Sequence, residues 1–251
     1  MDRPDSNPAE SASAKETPKN SPGKLVLDDP ANSAPSELSE DQALALLRRS
    51  DVTAAALAVV ARNSSVAKSR KVLLGLATHQ RTPRHITIPM LRRLFTFDLM
   101  QVALTPTIAA DVKRAAEEQI LNRLESLSSG ERISLARQAS GRVAAALLLD
   151  AETRVISTAL DNSRLVETSV VTALMKHNAP ESLFALVSEH GKWSLRREVQ
   201  IALLRSEKLP LPRAVELARN FSGDCLREIA PESRFATLIQ PSSPSTTGDQ
   251  E

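Results

Sequence analysis

One spacing recurs along this chain and constrains it more than any other feature. Val155, Ala159, Val171 and Leu174 are separated by 4, 12 and 3 positions, and Val199, Leu203, Val215 and Ala218 repeat that spacing. Between its apolar pairs each copy breaks at a polar or proline-bearing turn, Asp161-Asn162-Ser163 in one and Ser206 to Pro210 in the other. The phrase reads helix, turn, helix. Val72, Leu76, Ile88 and Leu91 fit it a third time. A unit of that kind cannot bury its apolar face alone and must stack on a neighbour. The expected fold is therefore all-α: a right-handed superhelical stack of short antiparallel helices, an α-solenoid.

Composition narrows what such a stack can do. Aromatic residues are 2% of the chain, with one Trp and no Tyr, so Leu, Val, Ile and Ala must build the core and base stacking cannot be a major binding mode. Cys225 is the single cysteine, which excludes an internal disulfide framework and a Cys-rich zinc site and fits a reducing compartment. The opening run from Met1 to Asp5 has no apolar signal core, and the longest clean apolar run, Val143 to Leu149, is too short to span a bilayer. The expectation is a soluble, cytoplasmic protein.

The charge is uneven. From Ser39 to Leu238 there are 28 Lys and Arg against 21 Asp and Glu, whereas the flanking segments hold 4 basic and 9 acidic residues. A basic body with acidic tails suits an anionic partner, or tails that screen the body from one. Residues 1–37 and 239–251 are rich in Pro, Ser and acidic or polar residues and are expected to be disordered, leaving a helical-repeat domain over 38–238.

Within that domain, Ser39 with Gln42 three residues later reads as a capping box. Asp51, then Ser64 or Ser65, read as the next caps, with Thr96 and Thr107 after them. Pro83 suits the first turn of a segment running to Phe95, and Pro89 within it implies a late start or a kink. From Thr107 the longest helix is expected to reach Leu127, with Ile108, Val112, Ala116, Ile120, Leu124 and Leu127 on one face and intrahelical ion pairs on the other. Ser128 to Glu131 is a turn and cap, and Arg142 to Leu149 is the most apolar helix. Further helices are expected near 152–160, 164–177, 180–190, 194–205 and 211–220, with a covering segment built on Cys225, Leu226, Ile229, Phe235 and Leu238.

The phrases from Ala159 to Leu165 and from Leu203 to Leu209 resemble those of HEAT-like and leucine-rich-repeat-variant α-solenoids. Over about residues 39–220 the chain is similar to bacterial proteins carrying the domain of unknown function 2336. The resemblance implies a binding scaffold, by analogy of fold alone.

No nucleophile elbow and no phosphate-binding Gly-Lys loop is present in the sequence. His79 and His85 flank one turn without a third ligand nearby, Glu117 and Glu118 are adjacent and so face different ways, and Cys225 has only Arg227 near it. The residues thus suggest no catalytic, cofactor or metal site. Charge spacing gives the main candidate. No acidic residue stands between Asp51 and Asp98, an interval holding Arg62, Lys68, Arg70, Lys71, Arg81, Arg84, Arg92 and Arg93. These cations either converge on one edge, where they match a phosphate backbone or another polyanion, or point apart as solvated faces. A second candidate is Trp193 with Arg196 and Arg197, which is either a binding hot spot or an indole plugging the gap between two repeats. The first expectation is a non-enzymatic scaffold binding another protein, and the alternative a nucleic-acid module using residues 62–93. No membrane partner is expected, and the sequence leaves the oligomeric state open.

Overall fold

The computed structural model describes residues 38–229. The expected tails, Phe235, Leu238 and the boundary at 238 lie outside the described residues. Fourteen α-helices and no strand occur among the described residues: α1 (Glu40–Leu47), α2 (Ala54–Arg62), α3 (Arg70–Thr78), α4 (Arg84–Leu91), α5 (Thr96–Leu104), α6 (Ala110–Leu121), α7 (Ser129–Gln138), α8 (Gly141–Leu147), α9 (Thr153–Leu160), α10 (Glu167–Leu174), α11 (Glu181–Glu189), α12 (Arg197–Leu204), α13 (Leu211–Ala218) and α14 (Gly223–Ile229). A single 3-10 turn, Leu124–Ser126, follows α6.

Helices of 7 to 12 residues are too short to be stable alone and depend on packing. The packing alternates. In the even-numbered layer α4 meets α6, α6 meets α8, α8 meets α10 and α10 meets α12; in the odd-numbered layer α1 meets α3, α3 meets α5, α7 meets α9 and α9 meets α11. One continuous core of small and aliphatic residues runs between the layers, from Ala43 and Leu57 through Ile120 and Leu148 to Leu203 and Ile229. Val143, Ala144, Leu147 and Leu148 of the α8 segment are almost wholly buried, as their all-round apolar pattern requires.

The recurring spacing has a different meaning from the one its sequence suggests. Its copies start on α9 and on α12, which belong to opposite layers, whereas successive helices of the odd layer begin 24 to 33 residues apart. The spacing is generic to any hairpin of two short helices, so it marks hairpins rather than the structural period. In the third copy Ile88 is 41% exposed.

Several helix starts also move. Thr53 rather than Asp51 caps α2, Ser69 rather than Ser64 or Ser65 caps α3, and Asp51 instead pairs with Arg49 at 2.8 Å. Phe95 and Ala109 occupy the N-cap positions of α5 and α6, so neither Thr96 nor Thr107 is a cap. The capping box expected at Ser39 forms, and the turn and cap expected at Ser128 to Glu131 is a second capping box. Pro83 is an N-cap residue, and α4 closes at Leu91 with Pro89 inside it. Of the expected stripe, Ile108 ahead of α6 and Val112, Ala116 and Ile120 on it are buried, but the helix ends at Leu121, and Leu124 and Leu127 pack half-buried against the core from the turn and loop that follow. Its charged face pairs sideways: Asp111 meets Arg84 of α4 at 3.1 Å and Glu117 meets Arg142 of α8 at 3.6 Å.

Candidate functional site

Hydrogen bonds between loops sort the loops into two edges of the stack. Along one edge Glu40 accepts from the Ser69 hydroxyl, Arg93 Nη2 donates to the Ala67 carbonyl (2.7 Å), and Arg123 donates to the carbonyls of Leu94 (2.7 Å) and Arg92 (3.0 Å). Along the other, the His79 ring reaches the Arg49 carbonyl at 3.1 Å, with its Nε2 as donor because Nδ1 accepts the Arg81 amide. Farther along, Asn162 Nδ2 donates to the carbonyls of Ala136 (2.8 Å) and Ala139 (3.2 Å), and Trp193 Nε1 to that of Leu160 (2.8 Å). Between units, all of these bonds but the one to Glu40 go to backbone carbonyls at helix ends and turns, groups that would otherwise be left unpaired. They span 23 to 33 residues, so each clips one unit to the one before.

The acid-free interval divides between the two edges. Arg62, Lys68, Arg70, Lys71, Arg92 and Arg93 stand on the first, at the end of α2, the start of α3 and the end of α4. Arg81 and Arg84 stand on the second, with His79 and His85. The eight cations therefore do not form one line. Of the six on the first edge, Arg93 is held by Ala67, and Arg70 makes a two-pronged bond to Asp98, both distances 2.8 Å. The Asp98 carboxylate, nearly buried at the start of α5, raises the Arg70 pKa above its ordinary value through that hydrogen bond and its charge. Arg62, Lys68, Lys71 and Arg92 are exposed and make no ion pair among the described residues.

Sequence reasoning missed the residue at the centre of this edge. Phe95 is 63% exposed, and the Arg70 guanidinium lies 4.9 Å from its ring centroid. Phe97, on the first turn of α5, is also exposed. The signal was local: Phe95 follows Arg92-Arg93-Leu94, and the buried Leu94 anchors a corner that turns the next side chain outward.

The second candidate closes inward. Trp193 is 1% exposed, its indole N–H is used on Leu160, and the Lys192 ammonium lies 4.0 Å from its ring centroid. Trp193 thus plugs the gap between units and is not a surface anchor. Arg196 is exposed; Arg197 lies 5.7 Å from the Phe221 ring centroid and 3.8 Å from Cys225 Sγ. Among the described residues no group of three or more His, Cys, Asp or Glu is placed to hold a metal ion, and no helix is long and apolar enough to cross a membrane.

Fold and edge together define a two-layer, all-helical stack with one exposed aromatic corner among unpaired cations. No family model matches the chain, and comparisons with curated proteins and with solved structures return no match.

Proposed function

We propose that the chain is a non-enzymatic, HEAT-like α-solenoid with a right-handed superhelix, a cytoplasmic scaffold that binds an acidic segment of another protein at the Phe95 edge. The observation that carries this reading is the exposed Phe95 ring beneath Arg70, with Lys71, Lys68, Arg62 and Arg92 unpaired along the same edge. An aromatic anchor beside Arg is the composition of an interface hot spot, and free cations select acidic partners. The layered contacts supply a rigid platform for that corner.

Binding of nucleic acid to the same edge is the second reading, favoured by the four unpaired cations. The ring count weighs against it, because single strands are held on a series of stacked aromatics and the exposed rings of this edge among the described residues are Phe95 and Phe97. The test is fluorescence anisotropy with a labelled acidic peptide containing Leu, and with labelled DNA and RNA, from low to moderate salt. The protein-scaffold reading expects peptide binding that falls tenfold or more in Phe95→Ala. Nucleic-acid binding with a steep salt slope, lost in Lys71→Glu/Arg92→Glu but indifferent to Phe95→Ala, would replace it.

A further inference from the structure

The clips that fasten each unit to the one before lapse at one place. Through α1 to α6 they run from the Ser69 bond to Glu40 as far as Arg123, which grips the carbonyls of Arg92 and Leu94. They resume at α7, where Ser129 and Arg132 both donate to the Glu152 carboxylate, and continue through Asn162 and Trp193 to Lys208, which donates to the carbonyls of His177 and Ala179. Among the described residues no side-chain hydrogen bond joins α1–α6 to α7–α13. The one ion pair that does is Glu117 of α6 with Arg142 of α8, at 3.6 Å and with the Arg side chain 45% exposed. The layers break at the same point: the even layer crosses through α6 and α8, whereas α5 and α7 are not among the packed pairs of the odd layer.

The connection between the halves has the form of a pivot. α6 ends at Leu121, and the 3-10 turn Leu124–Ser126 follows before α7 begins at Ser129. Ahead of the turn Arg123 is held to the first half through Arg92 and Leu94; behind it the Leu127 carbonyl accepts from Arg132 of α7 at 3.0 Å. The chain is thus anchored to one half on each side, and the turn stands between the anchors. A short 3-10 piece between helices is a common hinge element, and hinges absorb motion in a few residues at element ends. The Glu117–Arg142 pair is long, partly exposed and open to screening by salt, so it steadies the halves without fixing them.

We infer that the Leu124–Ser126 turn is a hinge about which α1–α6 and α7–α13 move as two rigid halves, sliding at the α6–α8 contact, with Glu117 and Arg142 as the latch between them. Each half keeps its own clips through the motion. A partner that touches both halves would select one arrangement of the stack. The Phe95 corner lies in the first half alone, and the hinge does not rest on the partner proposed there.

The test is pulsed electron paramagnetic resonance on the full chain with Cys225→Ser, carrying pairs of spin labels at exposed positions. Ala45→Cys with Gln101→Cys spans α1 to α5 within the first half, and Gln101→Cys with Ser157→Cys spans α5 to α9 across the junction, with one odd-numbered helix between the ends in each case. The distance distribution across the junction is expected to be about twofold wider than the one within the half, or more. Arg142→Ala is expected to widen it further and to leave the pair within the half unchanged. Equal widths for the two pairs overturn the hinge. An across-junction distribution untouched by Arg142→Ala, or equal broadening of both pairs, overturns the latch.

Discussion

Two corners of this molecule have the same ingredients and opposite fates. At the α4–α5 corner Phe95 sits beside Arg70, and at the α11–α12 corner Trp193 sits beside Lys192. The Trp ring is buried, with its N–H on the Leu160 carbonyl of the preceding unit, while most of the Phe ring faces solvent. A cation beside an aromatic ring therefore does not mark a binding surface by itself. What separates the two corners is whether the preceding unit offers the ring a gap to fill and an acceptor to meet. Trp193 has both and holds the stack together. At the Phe95 corner, Leu94 fills the core and the carbonyls of the corner are taken by Arg123, so the ring is left outside.

The largest expected effect tests the inward corner. Trp193→Ala should cost about 3–5 kcal/mol of stability by urea denaturation, whereas Phe95→Ala should stay within about 0.5 kcal/mol of the unaltered chain. Similar losses for the two would erase the distinction. Next in size is the junction that the α9–α10 loop makes with the preceding unit. A Cβ on Gly141 would stand 2.3 Å from the Arg164 carbonyl oxygen, backbone that cannot step aside cheaply. Gly141→Ala should cost about 1–3 kcal/mol through overpacking. Asn162→Ala, which strips the donor from the Ala136 and Ala139 carbonyls, should cost a similar amount, about 1–3 kcal/mol. Retained stability in both would show that these clips decorate the stack rather than fasten it.

The outward corner is sharpened by binding rather than stability. Lys71→Glu with Arg92→Glu should leave the denaturation midpoint nearly unchanged and should weaken the acidic peptide by at least tenfold. A fall in stability with no change in binding would give these cations a structural role.

The smallest effect is electrostatic. Glu131 accepts from the Ser128 hydroxyl and amide at the start of α7, and these bonds lower its pKa below the ordinary glutamate value. The stabilisation is present in full above the unfolded-state pKa and is lost as the pH falls through the lower folded-state value. Comparing the urea midpoint of the unaltered chain and Glu131→Gln from neutral to acid pH should show a small gap that closes in acid. A gap that widens in acid would contradict the sign.

The sequence by itself determined that the chain is helical, where most helices lie and which residues form the core. Apolar spacing along a short helix is a local property, readable from Val155 and Ala159 or from Val112, Ala116 and Ile120 without knowing what they pack against. The capping box at Ser39 was legible for the same reason, since Ser39 and Gln42 lie three residues apart, and Ser128 to Glu131 was legible as a turn and cap. Only the tertiary structure decided the layering and the candidate surface. The recurring hairpin spacing put equivalent positions in opposite layers, because layer membership depends on counting helices rather than on any one helix's pattern. It also divided the acid-free run between two edges, since successive turns of an antiparallel stack alternate sides. Burial of Trp193, one of the two readings its sequence offered, was chosen by packing, and exposure of Phe95 was beyond reach of the sequence: each is set by groups on other helices.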